Sequence, residues 1–247
     1  MATAKYVIGN WKMNGDYALV MQMIAALRSM GPLETVTTVI CPPFTLLHGF
    51  AELLGMGHVH LGAQDCGPEN AAARTGEIAP AMLIEQNCRF VIIGHSERRR
   101  YQGESNDIVA AKAAAAQAAG LMPVICVGEN LAEREAEQAE IVVEAQVSAA
   151  LKNLKSEKII FAYEPVWAIG TGQTASHSDI AGMHDVIRAR AARHDFKDIA
   201  VLYGGSVKVE NAAGILGLGG VDGVLLGGAS IDPDAFIAIA KQANNLP

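Results

Sequence analysis

The polar residues best suited to chemistry stand at the ends of short apolar runs. Asn10 and Lys12 follow one run, Gln64 and Asp65 a second, and His95-Ser96-Glu97-Arg98-Arg99 a third; Glu129 and Glu164 close two more. The set holds a base, an acid or electrophile, and a cation, which could act together if the fold gathers them around one cavity. Two glycine clusters, Tyr203-Gly204-Gly205-Ser206-Val207 and Gly227-Gly228-Ala229-Ser230, add another chemistry. Glycine lets backbone approach a ligand closely, and a helix N-terminus offers free N–H groups to an anion, so phosphate is the natural guest. Taken alone, each glycine pair is more often a tight turn than a ligand site, by roughly two to one. The segment Pro165-Val166-Trp167-Ala168-Ile169-Gly170-Thr171-Gly172-Gln173, directly after Glu164, is an apolar loop ending in glycines that could close over a substrate. Its plainer reading makes Trp167 a core residue and Glu164 a surface ion-pair partner.

The elements that must position these groups follow from the hydrophobic pattern. Apolar runs rich in β-branched residues predict strands at 6–10, 36–41, 59–63, 90–94, 123–127, 159–163, 200–203 and 224–226. Runs such as Val91-Ile92-Ile93 are apolar on both faces, as parallel strands covered on each side require. Helical patterns fill the gaps at 17–30, 44–54, 80–87, 106–119, 132–154, 179–194, 209–216 and 233–242. In the longest, Val143, Val147, Leu151 and Leu154 form an apolar stripe, while Glu133, Glu137, Glu140 and Glu144 read as a solvated face. No linker or low-complexity block divides the 247 residues. The expectation is an α/β fold, a single closed (β/α)8 barrel occupying 1–247 as one catalytic domain. An open doubly wound sheet is the alternative, but the first strand is followed by Gly9-Asn10-Trp11-Lys12 and not by a glycine fingerprint. A closed barrel brings the loops after its strands to one face, and there the two glycine clusters become a phosphate site.

Composition removes other classes. Hydrophobic residues make up 51% of the chain and charged residues 18%, enough for a large core. A net charge of −7, with no basic run longer than Arg98-Arg99-Arg100, argues against nucleic acid and membrane surfaces as partners. No stretch approaches a transmembrane span, and the first apolar run is too short for a signal-peptide core, so a cytoplasmic protein is expected. Cys41, Cys66, Cys88 and Cys126 lack metal-ligand spacing and read as reduced thiols. His48, His58, His177 and His194 have no placement at a strand end and read as surface residues.

Four motifs, GNWKMNG at 9–15, GHSERR at 94–99, AYEPVWAIGTG at 162–172 and YGGSV at 203–207, resemble those of the triosephosphate isomerase family, in the same order and across essentially the whole chain. The resemblance implies interconversion of dihydroxyacetone phosphate and D-glyceraldehyde 3-phosphate through an enediolate, a step of glycolysis and gluconeogenesis, with no cofactor and no metal. It makes Glu164 the base that moves the proton, His95 the electrophile beside the substrate oxygens, Lys12 the cation that stabilises the enediolate, and Asn10 its helper. Ser96 and Glu97 would support them, Glu97 by pairing with Lys12; Cys126 would pack behind the glutamate. Backbone amides of Gly170, Ser206, Gly227 and Gly228 would hold the phosphate beneath the lid of residues 165–173. The resemblance also implies a homodimer in which the loop from Gln64 through Arg74, Thr75, Gly76 and Glu77 reaches the neighbouring site.

Physical reasoning agrees with these roles. Proton abstraction beside a carbonyl needs a base near the carbon and donors near the oxygen. The net charge of −7 is screened beyond about 8 Å, so a nearby Lys12 and two helix N-termini outweigh it for a phosphate. The chain departs from the family pattern at Gln102, where an aromatic is usual, at Arg74, where an apolar residue is common, and at Gln173, which replaces a common lysine. A serine hydrolase is disfavoured because Gly94-His95-Ser96-Glu97-Arg98 and Gly204-Gly205-Ser206-Val207-Lys208 lack the final glycine of the nucleophile motif. An aldolase would need a Schiff-base lysine near a strand end. A phosphate-binding barrel without catalysis is the non-enzyme reading, against which Glu164, His95 and Lys12 stand together.

Overall fold

The computed structural model describes residues 5–55, 57–70, 72–155, 159–169 and 174–246. Eight strands among them form a closed parallel barrel in chain order: β1 (Lys5–Asn10), β2 (Val36–Cys41), β3 (Val59–Ala63), β4 (Cys88–Ile93), β5 (Met122–Val127), β6 (Ile159–Tyr163), β7 (Ile199–Tyr203) and β8 (Gly223–Leu226). Each strand pairs with the next, and β8 closes the ring on β1 through Tyr6↔Gly223 to Gly9↔Leu226. The described helices are α1 (Tyr17–Met30), α2 (Phe44–Leu54), α3 (Pro80–Glu85), α4 (Ser96–Gln102), α5 (Asn106–Ala118), α6 (Leu131–Glu135), α7 (Ala139–Leu151), α8 (His177–Ala192), α9 (Val209–Leu216) and α10 (Pro233–Asn244). None is long and apolar enough to cross a membrane.

Both faces of the strands are buried, as their unbroken apolar runs predict. Alternate residues, including Ile8, Val39, Ile92, Val124, Ile160, Leu202 and Leu225, form a cluster of their own. Their neighbours, such as Val7, Val91, Ile125 and Phe161, join the helices' apolar stripes in a larger one; Val20, Met23, Ile24 and Leu27 supply α1's share. Period-two strands and period-3.6 helices thus sort one chain into a filled barrel and a helical coat.

The pattern misplaces three helical features. The stretch 132–154 is two helices, because Asn130 and Glu133 form a reciprocal cap that starts α6 early and Glu137 adopts φ 56° before α7 begins. With no Gly or Pro at that break, nothing in the hydrophobic pattern marks it. The helix foreseen at 179–194 is α8 and starts at His177, capped by Ser176 with Asp179. The short α4, which the resemblance implies after His95, is missing from the hydrophobic pattern: its sequence, SERRRYQ, has no apolar stripe to reveal a period. His48, His177 and His194 are exposed as expected, whereas His58 is half-buried.

Candidate active site

At the end of β1 the chain turns sharply and holds a lysine in an unusual conformation. Lys12 has φ 53°, in the left-handed region that side chains avoid. Its N–H donates to Asn10 Oδ1 at 3.0 Å, its C=O accepts from Gln64 Nε2 at 2.9 Å, and its Nζ lies 2.7 Å from Glu97 Oε1. Asn10 is 5% exposed, the last residue of β1, and points its side chain within the ring.

The end of β4 delivers His95 as the N-cap of α4. The Glu97 N–H donates to His95 Nδ1 at 3.2 Å, which makes Nδ1 the acceptor and leaves the ring proton on Nε2. Glu164, just beyond β6 and 2% exposed, lies on the other side of that ring. Its Oε2 accepts the Ser96 N–H at 2.8 Å; its Oε1 is 2.9 Å from His95 Nε2 without the alignment of a hydrogen bond. Burial works to raise the Glu164 carboxyl's pKa, but His95 and the Ser96 amide outweigh it and leave the group below its ordinary value. For His95, burial favours the neutral ring and the adjacent carboxylate favours the cation; in this arrangement the carboxylate wins and the pKa is raised. When Glu164 moves away, burial, Lys12 and the Glu97 N–H favour the neutral ring, against the Glu97 carboxylate 3.5 Å from Nδ1.

Close backbone approaches fix the position of Glu164. A Cβ on Gly128 would sit 1.7 Å from the Glu164 carbonyl oxygen, so the loop after β5 reaches the glutamate only as glycine, and one on Gly204 would press on Glu164 Cγ at 3.1 Å. Cys126 is fully buried, and burial, followed by the neighbouring carboxylate, pushes its thiol well above the ordinary range. Burial there favours the protonated thiol over the thiolate that nucleophilic chemistry needs.

Beyond Glu164, Pro165 leads into a short 3-10 turn over Val166–Ala168. Trp167 Nε1 donates to Glu129 Oε1 at 2.8 Å, the Val166 N–H donates to the Glu129 carbonyl at 3.0 Å, and the Arg134 guanidinium covers the indole at 4.5 Å. Glu129, itself 0% exposed, also accepts from Tyr163 Oη at 3.1 Å. The start of the expected lid is therefore hydrogen-bonded and half-buried, while Gly170, Thr171, Gly172 and Gln173 lie outside the described residues.

A cavity of about 780 Å³ at the strands' C-terminal ends is lined by Asn10, Lys12, His95, Ser96, Glu97, Glu164, Val166 and Ile169, and by Ser206, Gly227 and Gly228 from the glycine clusters. A larger hollow of about 850 Å³ opens near the strands' N-terminal ends around His60 and Arg89; it collects none of these groups, so size does not choose the site. Of the loop residues, Gln64 lies beneath Lys12, and Arg74, Thr75, Gly76 and Glu77 are exposed, with Arg74 2.8 Å from Glu69. Sequence reasoning missed Arg100, Tyr101 and Lys208 on the cavity's rim. It also missed the buried network behind α4, in which Lys112 and Arg98 share Asp65 and Glu104 at 2.6–2.8 Å. A lysine inside the otherwise apolar pattern of α5 was the one signal for it.

A base, a polarisable imidazole and an ammonium group facing one half-enclosed space can move a proton next to a carbonyl and hold the resulting oxyanion. The family model described as triosephosphate isomerase matches residues 5–243 of the chain. A protein of Halorhodospira halophila named triosephosphate isomerase is 47% identical, covering 97% of this chain and 98% of its own. So named proteins of Alkalilimnicola ehrlichii, 46% identical over 96% of this chain and 97% of theirs, and of Azoarcus sp., 44% identical over 98% and 100%, agree. A match this long, on a closed eight-stranded barrel with its polar groups at one mouth, establishes that the chain belongs to the triosephosphate isomerase family.

Proposed function

We propose that Glu164, His95, Lys12 and Asn10 carry the reaction of this family, the interconversion of dihydroxyacetone phosphate and D-glyceraldehyde 3-phosphate. The observation that carries the assignment is the Glu164–His95 contact of 2.9 Å, which leaves a buried carboxylate oxygen without a hydrogen bond beside an imidazole N–H. Substrate entering the cavity displaces the carboxylate from Ser96 and receives it at carbon. Glu164 takes a proton from one carbon and returns it to the next. His95, neutral once the carboxylate has left it, donates from Nε2 to the carbonyl oxygen, and Lys12 with Asn10 stabilises the enediolate charge. Glu97 tethers Lys12, Ser96 parks the resting base, and Cys126 packs behind it. The backbone of Ser206, Gly227, Gly228 and Gly170 holds the phosphate, and residues 165–173 close over it to exclude water.

The same reading includes a homodimer. Supporting it are Met13, 97% exposed beside Lys12, and Tyr101, 67% exposed on the cavity's rim, two large hydrophobic side chains left uncovered within one protomer. Four buried, unpaired cysteines fit a reducing compartment, so the protein works in the cytoplasm. A coupled assay on D-glyceraldehyde 3-phosphate tests the function: the parent turns over, Glu164→Gln does not, and a Glu164→Gln protein with parental activity removes the assignment.

A further inference from the structure

A non-glycine residue at positive φ persists only where its surroundings fix it. Lys12, at φ 53°, is such a residue, and a glycine there would lose the ammonium. Both polar groups of its backbone are taken by side chains: Asn10 Oδ1 accepts the N–H, and Gln64 Nε2 donates to the C=O. The second N–H of the Gln64 amide donates to the Cys41 carbonyl at 3.0 Å, so the amide is pinned to the end of β2 while it grips Lys12. Turning that amide over would set its oxygen against two carbonyl oxygens, which fixes its orientation. Gln64 thus uses every donor it has on backbone of its own protomer.

We propose that Gln64 is a positioning residue for the reaction: it clamps the left-handed backbone of Lys12 and so aims the ammonium into the cavity. Resemblance places Gln64 in the loop that meets a partner; the hydrogen bonds give it a different task. Without the clamp, Lys12 relaxes toward negative φ, its Cα–Cβ direction changes, and Nζ leaves the place it holds beside Glu97. The proposal rests on Lys12 being the cation that meets phosphate and enediolate. Asn10 faces the substrate as well, so Gln64 is the member of the clamp that can be changed without touching the cavity; it is not among the residues lining it.

The test is a cycle built on Gln64→Met, which keeps length and removes both donors, and Lys12→Met. Steady-state kinetics, inhibition by inorganic phosphate and light scattering are measured for the parent, both single variants and the double variant. In the parent background, Gln64→Met lowers kcat/KM by ~30-fold, in line with a misplacement of about 1 Å, and weakens phosphate inhibition while the oligomeric state is unchanged. In the Lys12→Met background it costs less than about two-fold more, since the group it aims is already gone. An equal loss in both backgrounds overturns the proposal, as does parental phosphate inhibition in Gln64→Met. Gln64→Glu supplies a second readout that survives poor folding of the Met variant. Its carboxylate has no donor near neutral pH and its protonated acid has one, so its activity relative to the parent rises as pH falls; a flat ratio overturns the clamp. Phosphate inhibition is read by competition and phosphate binding by calorimetry, so a parent that binds phosphate but fails to isomerise defeats the functional reading and leaves the clamp testable.

Discussion

Glu164 rests against the amide of Ser96, with one oxygen hydrogen-bonded and the other merely close to His95. A carboxylate held this way favours its ionised form and is dry, and in the proposed reaction the distance it must travel is set by the length of its side chain. Glu164→Asp withdraws the carboxylate by about 1 Å, so kcat falls ~10²-fold while KM changes little, and the thermal unfolding curve keeps its midpoint within a few degrees. The coupled assay and a calorimetric scan check the two halves of that statement, and activity within a few-fold of the parent contradicts it. These residues were legible in the sequence because the groups are polar, stand at strand ends and sit inside motifs long enough to carry a resemblance. The support beneath them was not. Nothing in the spacing of Gln64 and Lys12 announces a hydrogen bond between them, and the covering of Glu129 by Tyr163 and Trp167 depends on how two neighbouring loops fold over each other.

Elements announce themselves when burial imposes a period. The eight strands were read to within one or two residues because each is apolar on both faces, and α1 and α2 because Val20, Met23, Ile24 and Leu27, or Leu47, Phe50 and Leu54, mark one side. The break between α6 and α7 follows from a polar cap, which hydrophobicity does not register, and α4 is held by its neighbours. Along α8 the same rule hides a titratable group among buried residues. His184 is 0% exposed and donates from Nδ1 to the Gly220 carbonyl at 3.1 Å; burial lowers its pKa to about 4, against the pull of that bond. The unfolded chain takes up this proton near pH 6.5 and the fold only near 4, so between those values the unfolded state binds more protons. Stability is therefore full above pH 6.5 and falls as pH drops through the window, by roughly 3 kcal/mol for this group. Urea midpoints at pH 7.5 and 4.5 should differ less in His184→Gln than in the parent; equal differences would mean that other groups govern the acid limb.

At the scale of the molecule, the proposed dimer would cover the bare side chains of Met13 and Tyr101, and the exposed Arg74 would bring a charge into it. Association should then depend on salt. Specific activity should decline on dilution, and the decline should begin at a different protein concentration in 0.5 M salt than in 0.05 M; light scattering on the same samples must follow it. A fully active monomer would refute the dependence. The ring itself was legible as eight alternating units, but its evenness was not. β1 and β2 pair along their whole length, from Lys5↔Val36 to Asn10↔Cys41, whereas β7 and β8 share Leu202↔Gly223 and Tyr203↔Val224. At this join Asp222 acts as a stitch: its N–H donates to the Val201 carbonyl at 2.9 Å, its carboxylate accepts the Val201 N–H at 2.7 Å, and Arg188 holds it from outside. A hoop with one thin joint does not breathe evenly. Amide deuterium uptake should run fastest along the β7–β8 edge and slowest along β1–β2, and Asp222→Ala should quicken the first and spare the second. The glycine clusters hang from the two strands that flank this joint, so the part of the barrel proposed to grip phosphate is also the part whose thin pairing gives it freedom to let go.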